Sequence, residues 1–238
     1  MASKGFQFKQ FFIAHDQCAM KVNTDSILLG AIAEINNVHS ILDMGTGSGL
    51  LAIMLAQRTA CVELFPSITA IELEQDAYSQ ATDNSKLTPW HNRISIIHGD
   101  VTQIEFTQQF DLIVSNPPYF SDSLPSKTKA RGLARNITQN HITWLSQAKK
   151  WLSSKGRITF ILPLDAGLKL IEQAKEIGLY CIERYTIQST PNKLAKRIIL
   201  TFSRVDKVCA DKQLVIYQEN HQYSEEFKEL TQDFYVNF

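Results

Sequence analysis

Disulfide staples, membrane spans and a net charge are all missing from this 238-residue chain. Its four cysteines, Cys18, Cys61, Cys181 and Cys209, stand far apart with no CxxC pair, which excludes a zinc knuckle or redox motif and fits reduced thiols. The longest apolar runs, Ile27 to Ala33 and Leu50 to Ala56, are too short to cross a bilayer. The start, Met-Ala-Ser-Lys-Gly-Phe-Gln-Phe-Lys, has no apolar stretch followed by a small-residue cleavage site, so a cytoplasmic protein is expected. With 44% apolar and 20% charged residues, wholesale disorder and a coiled coil are also excluded. A chain of this length can bury a core without cross-links.

Lys+Arg 24 against Asp+Glu 24 sums to zero, yet the charge is uneven. Residues 121–150 carry Lys127, Lys129, Arg131, Arg135, Lys149 and Lys150 against Asp122 alone, and 211–238 are acidic. A neutral total can hide a local positive face of the kind that binds phosphate; a solvated surface reads the same way.

Two periodicities alternate through the middle of the chain. Strand-like runs fall at Ser40–Gly45, Ser67–Leu73, Arg93–His98, Phe110–Ser115 and Arg157–Leu162, and helix-like runs at Leu50–Arg58, Gln75–Asn84, Thr138–Leu152 and Asp165–Ile177. That alternation predicts an α/β fold, doubly wound, with a mostly parallel sheet and helices on both faces. Tyr180–Ile187 and Arg197–Ser203 lie too close for a crossover helix and read as an antiparallel pair closing the sheet edge. A helix is expected at Asp25–Glu34 and a strand plus a helix after Asp211. We read 1–238 as one domain: an N-terminal tail and helix (1–39), a core (40–204) and a C-terminal extension (205–238).

Two clusters carry the chemistry. Asp43-Met-Gly45-Thr-Gly47-Ser-Gly49 ends a strand and opens a helix, with glycines that let backbone approach a ligand. An acid before the first glycine suits an ammonium better than a pyrophosphate. Glu72 ends the second strand, where a carboxylate accepts ribose hydroxyls, and Asp100 ends the third, where it can meet an adenine amino group. Three acids at successive strand ends fit a cationic nucleoside without phosphate, S-adenosylmethionine. The second cluster, Asn116-Pro-Pro-Tyr119, follows the fourth strand. Two prolines remove two backbone donors, so the Asn116 oxygen and nearby carbonyls can accept both hydrogens of a planar NH2 group, while Tyr119 offers a stacking face. Acceptors fixed there favour tetrahedral character developing at nitrogen.

Together these motifs resemble the S-adenosylmethionine-dependent amino-methyltransferases, which act on adenine N6, guanine N2, cytosine N4 or glutamine N5. The segments Gly5–Phe12, Ala14–Ala31 and Tyr217–Glu226 extend the likeness over nearly the whole chain, to the bacterial tRNA1(Val) (adenine37-N6)-methyltransferase family. The resemblance implies a Rossmann-like class I fold, with a seven-stranded sheet and an antiparallel last strand. It implies a methionine cradle at Gly45 and Gly47 with Asp43 near the amino group, ribose on Glu72, and adenine on Asp100 and Val101. Thr24 and Asp25 match the segment that closes over the cofactor. Asn116 and the Pro117 carbonyl would hold the target nitrogen, Tyr119 would stack on the flipped base, and no metal is needed. The substrate implied is the anticodon loop of tRNA1(Val), where unstacking a base is easier than in a duplex.

Phe6, Phe8, Phe11 and Phe12 among Lys4 and Lys9 suit single-stranded RNA as well as a tail tucked on the sheet. Lys4, Lys9 and the basic run Lys127, Lys129, Arg131 and Arg135 are the expected backbone grip. The histidines lack ligand spacing, and the tryptophans read as packing. N5-methylation of a protein glutamine, methylation of another RNA base, a dinucleotide-dependent oxidoreductase and a non-catalytic RNA-binding module remain the alternatives at this point.

Overall fold

The computed structural model describes residues 4–61, 65–118 and 140–238. Its strands are β1 (Gly5–Gln7), β2 (Phe12–Ala14), β3 (Ser40–Met44), β4 (Ser67–Glu72), β5 (Ile94–His98), β6 (Phe110–Ser115), β7 (Leu152–Pro163), β8 (Tyr180–Gln188), β9 (Arg197–Ser203) and β10 (Ala210–Val215). The described helices of two or more turns are α1 (Thr24–Ile32), α2 (Leu50–Arg58), α3 (Gln75–Lys86), α4 (His141–Trp151), α5 (Leu164–Glu176) and α6 (Glu225–Thr231).

Strands β3 to β10 form one sheet in the order β10-β8-β9-β7-β6-β3-β4-β5, with β9 antiparallel to both of its neighbours. After β3 the chain winds outward through β4 and β5, then returns to place β6 on the other flank of β3. The strand order therefore reverses between β3 and β6, where open α/β sheets leave a crevice beyond the carboxyl ends of the strands.

Sequence patterning explains why both faces are covered. Along β6 beyond the irregularity at Phe110, Leu112 and Val114 join one apolar cluster with α1 and α2, whereas Ile113 joins another with α4. Ile41 and Leu42 of β3 split the same way. That alternation is the two-residue period of a strand buried on both sides. Helix α2 buries eight of its nine residues, Leu50 to Gln57; each fully buried leucine or isoleucine stabilises the fold by about 1.5–3 kcal/mol. Helix α5 stops at Gly178, whose φ of +66° reverses the chain into β8.

Three findings revise the reading of the sequence. The sheet has eight strands instead of seven, because β10 adds parallel to β8, tied by Arg184–Asp211 (2.5 Å) and Lys212–Glu183 (2.6 Å). The antiparallel strand β9 is internal, between β7 and β8, and β10 closes the edge. The aromatic tail is a β1–β2 hairpin whose Phe8, Phe11 and Ile13 are buried, and Phe6 packs edge-on against Tyr235. Packing, not an open stacking platform, is what those phenylalanines provide; Phe12 is the exposed one. Cysteines 28 residues apart in sequence also meet: the Sγ atoms of Cys181 and Cys209 lie 3.7 Å apart as free thiols. No helix among the described residues is long and apolar enough to cross a membrane.

Candidate active site

At the reversal point, parallel pairing sets the ends of β3, β4 and β6 side by side: Asp43 is level with Ala70 and Val114, so Met44, Glu72 and Ser115 all end at one rim. The loop that follows β3 takes its shape from glycine. Gly45, Gly47 and Gly49 have φ of +74°, +59° and +83°, values that carry a steric penalty for residues with a Cβ. The Gly45 and Thr46 amides donate to the Ile71 carbonyl, which fastens the loop to β4. A Cβ on Gly47 would meet nothing within 4 Å, so backbone there faces open space.

That space is a cavity of about 250 Å³. The glycine loop, Ile71 to Glu74, Asp100, Val101, Asn116, Pro118 and Trp144 border it on one side. Residues 18–23 and Ser26 border it on the other. Among the described residues, Glu72, Glu74 and Asp100 are its acids, and Lys21 is the one Lys or Arg along its lining. Burial raises the Glu72 carboxyl above its usual range, against donation from the Glu74 and Gly47 amides (2.9 and 2.8 Å). Those two bonds leave acceptor capacity on the carboxylate. Asp100 Oδ1 accepts from the Thr102 amide and hydroxyl, which fixes the turn carrying Val101.

Asp43 lies beneath the loop, fully buried, and does not border the cavity. The Thr46 hydroxyl donates to its Oδ2 at 2.5 Å, while Oδ1 makes no hydrogen bond. Burial pushes the carboxyl up to about 7; Thr46 and the Ala52 amide oppose the rise and Glu72 adds to it. A buried carboxylate half without a donor is an electrostatic debt that a nearby cation relieves. An acidic, partly apolar cavity over an unsatisfied carboxylate, with glycine backbone open to a ligand, fits S-adenosylmethionine, which carries a sulfonium and an ammonium on a nucleoside.

Asn116 stands at the cavity edge, and its Nδ2 donates to Ser26 Oγ at 3.0 Å. Ser115, buried just before it, donates to the Met44 carbonyl at 2.6 Å and accepts from Trp144 Nε1 at 3.0 Å. Trp144 thus braces the base of the site as well as packing α4, a role with no local mark in the sequence. Pro118 borders the cavity and Pro117 does not. Tyr119, Lys127, Lys129, Arg131 and Arg135 lie outside the described residues.

Thr24 and Asp25 open α1 without bordering the cavity, and the Asp25 carboxylate accepts from Arg197 Nε at 2.8 Å. Their neighbours Asn23 and Ser26 are the ones that border it. The wall is held from α3: Gln80 accepts from the Gln17 amide and the Cys18 thiol and donates to Asp16, and Asn84 bonds both backbone groups of Ala14 and the Ser48 carbonyl. Burial, then Glu72 and Asp16, push the Cys18 thiol up to about 12. Lys9 Nζ donates to the Gln232 carbonyl and so ties the hairpin to the C-terminal segment, while the Lys4 carbonyl accepts from the His15 amide and extends the hairpin's own backbone pairing.

The methyltransferase small domain family matches residues 18–174. A curated tRNA1(Val) (adenine(37)-N6)-methyltransferase from Glaesserella parasuis is 54% identical, covering 98% of this chain and 97% of that protein. One of the same name from Actinobacillus pleuropneumoniae (strain AP76) is 54% identical over 99% of this chain and 98% of that protein. The fold resembles an Agrobacterium tumefaciens structure described as a predicted O-methyltransferase, with a TM-score of 0.67 and 20% identity over 88% of this chain and 96% of that one.

Proposed function

We propose, because this chain belongs to the methyltransferase small domain family and within it to the tRNA1(Val) (adenine(37)-N6)-methyltransferases, that it methylates N6 of adenine 37 in the anticodon loop of tRNA1(Val). The observation that carries this reading is convergence: the glycine loop, Glu72, Asp100 and Asn116 border one cavity. S-adenosylmethionine, when bound, supplies an electrophilic methyl group on a positively charged sulfur.

Every other requirement falls to the chain. Gly45 and Gly47 hold the methionine part by backbone, with the Asp43 charge beneath. Glu72 takes the ribose hydroxyls, and Asp100 and Val101 take the amino group and face of the adenine. Thr24 and Asp25 anchor the wall that covers these groups. Asn116 Oδ1 and the Pro117 carbonyl accept the two N6 hydrogens, and Tyr119 stacks on the extruded base. An exocyclic amine has its lone pair delocalised into the ring; fixed acceptors on its hydrogens favour the pyramidal nitrogen of the transition state. The nitrogen is acidic once alkylated and gives up a proton to water, so no general base is required. Alignment in a water-poor site provides the greater part of the acceleration.

Residues 1–238 act as one domain in this reading, since the hairpin, the sheet and the C-terminal Phe227 and Phe234 share an apolar cluster. Lys127, Lys129, Arg131 and Arg135, supplemented by Lys4 and Lys9, grip the RNA backbone in the cytoplasm. Reversing the charge of Lys127, Lys129 and Arg131 should weaken tRNA binding and flatten its salt dependence.

The direct test is transfer of labelled methyl groups into bacterial tRNA lacking this modification, with nucleoside analysis of the product. Label in N6-methyladenosine is the expected result. Label in protein glutamine, or none in tRNA, overturns the proposal.

A further inference from the structure

A carboxamide can face its target with either end, and only the oxygen end suits a substrate amine. Turned the wrong way, the Asn116 NH2 would oppose another NH2, donor against donor. Catalysis by this residue therefore needs something that fixes the amide, and the neighbours of its Nδ2 supply it. Asn116 Nδ2 lies 3.0 Å from Ser26 Oγ and 3.8 Å from Met20 Sδ. A hydroxyl can donate or accept, so Ser26 alone would tolerate either orientation. A thioether sulfur can only accept. With both neighbours present, the end against Ser26 and Met20 must be the NH2 and the opposite end the oxygen.

Ser26 is itself held in place. Its amide donates to the Asn23 side chain at 2.9 Å, the N-cap of α1, and the preceding Asp25 is paired with Arg197 at the start of β9. These contacts use the backbone of residue 26 and the side chains beside it, leaving the hydroxyl for Asn116.

We infer that Ser26, assisted by Met20, is a positioning residue for methyl transfer: it orients the Asn116 carboxamide so that Oδ1 faces the acceptor nitrogen. The inference rests on the proposed function and adds a residue from outside both sequence motifs.

Single-turnover methylation of tRNA lacking the modification, with S-adenosylmethionine affinity measured separately by calorimetry, tests it. Ser26→Ala should slow methyl transfer about tenfold, the worth of one oriented hydrogen bond, while cofactor Kd and tRNA affinity stay within twofold. Ser26→Thr should keep most of the rate. Ser26→Val, of the same shape as threonine without the hydroxyl, should not, and this isosteric pair decides the matter even if the alanine variant folds poorly. On an Asn116→Ala background, Ser26→Ala should cause no further loss, whereas a merely structural role would add its full effect. An unchanged rate in Ser26→Val, a loss confined to cofactor Kd, or additivity with Asn116→Ala overturns the inference while leaving the function intact. Failure of the unaltered chain to methylate tRNA overturns the function and this inference with it.

Discussion

On one side of the cavity, Asp43 to Gly49 take the shape of their turn from neighbours in sequence (three left-handed glycines, a Thr46–Asp43 hydrogen bond and a helix that starts at once) and are then fastened to Ile71 and Glu72 of β4. On the other, residues 14–26 take theirs from side chains 62 to 90 positions away, on α3 and after β6. The loop is a local device whose geometry follows from glycine. The wall is a tertiary one, and it exists only once α3 and β6 are in place. Catalysis needs both, because Asn116 reaches from the sheet rim to Ser26 of the wall.

The comparison breaks most sharply at the residue joining the two sides. Asn116→Ala should lower methyl transfer about 10²–10³-fold, the range for losing one oriented transition-state contact, with cofactor binding preserved because the glycine loop is untouched. A parallel collapse of cofactor affinity would mean that the two sides are not separable. Next in size is Asn84→Ala. It removes three bonds, two partly buried ones to Ala14 and a buried one to Ser48, and strands backbone groups on both sides. We expect a loss of about 2–3 kcal/mol and a fall in Tm of roughly 5–10 °C by thermal unfolding. Gly49→Ala probes the loop's own turn and its close approach to α3. A φ of +83° with Ala81 3.4 Å from the added Cβ should destabilise by about 1–2 kcal/mol, seen as a smaller Tm shift with cofactor binding weakened.

These differences explain what the sequence disclosed. The strand–helix alternation, the glycine loop and Asn116-Pro-Pro-Tyr119 are short-range patterns, and β3, α2, β6 and β9 fall within a residue of where periodicity places them. Asn84, Gln80 and Ser26 carry no local mark, since each acts on a partner from another element. Likeness in Ala14–Ala31 singles out Thr24 and Asp25, whereas the cavity is bordered by Asn23 and Ser26, one residue on either side. A strand is expected after Asp211, but its place in the sheet is not legible. Residues Ala210 to Gln213 are exposed, so hydrophobic alternation cannot announce parallel pairing with β8, which two ion pairs reinforce.

Titration gives the last and smallest contrast. On the wall, Cys18 is pushed up to about 12 and stays a neutral thiol throughout the physiological range. Beneath the loop, Asp43 is pushed up to about 7, chiefly by burial and further by Glu72, against Thr46 and Ala52. Its folded pKa lies above the unfolded value of 3.8. The stability this adds is complete below about pH 4 and is lost as pH rises through 7. A bound cation reverses the preference by favouring the ionised form. Cofactor affinity should therefore fall as pH drops below 7, by at most tenfold per unit for one proton, with proton uptake accompanying release. Asp43→Asn should abolish that slope, weaken binding above pH 7, and raise the Tm of the cofactor-free protein at pH 8. Calorimetry in buffers of different ionisation enthalpy reads the proton directly. Affinity independent of pH between 6 and 8 would show that the buried carboxylate does not sense the ligand above it, leaving the loop's hold on the cofactor to backbone and Glu72.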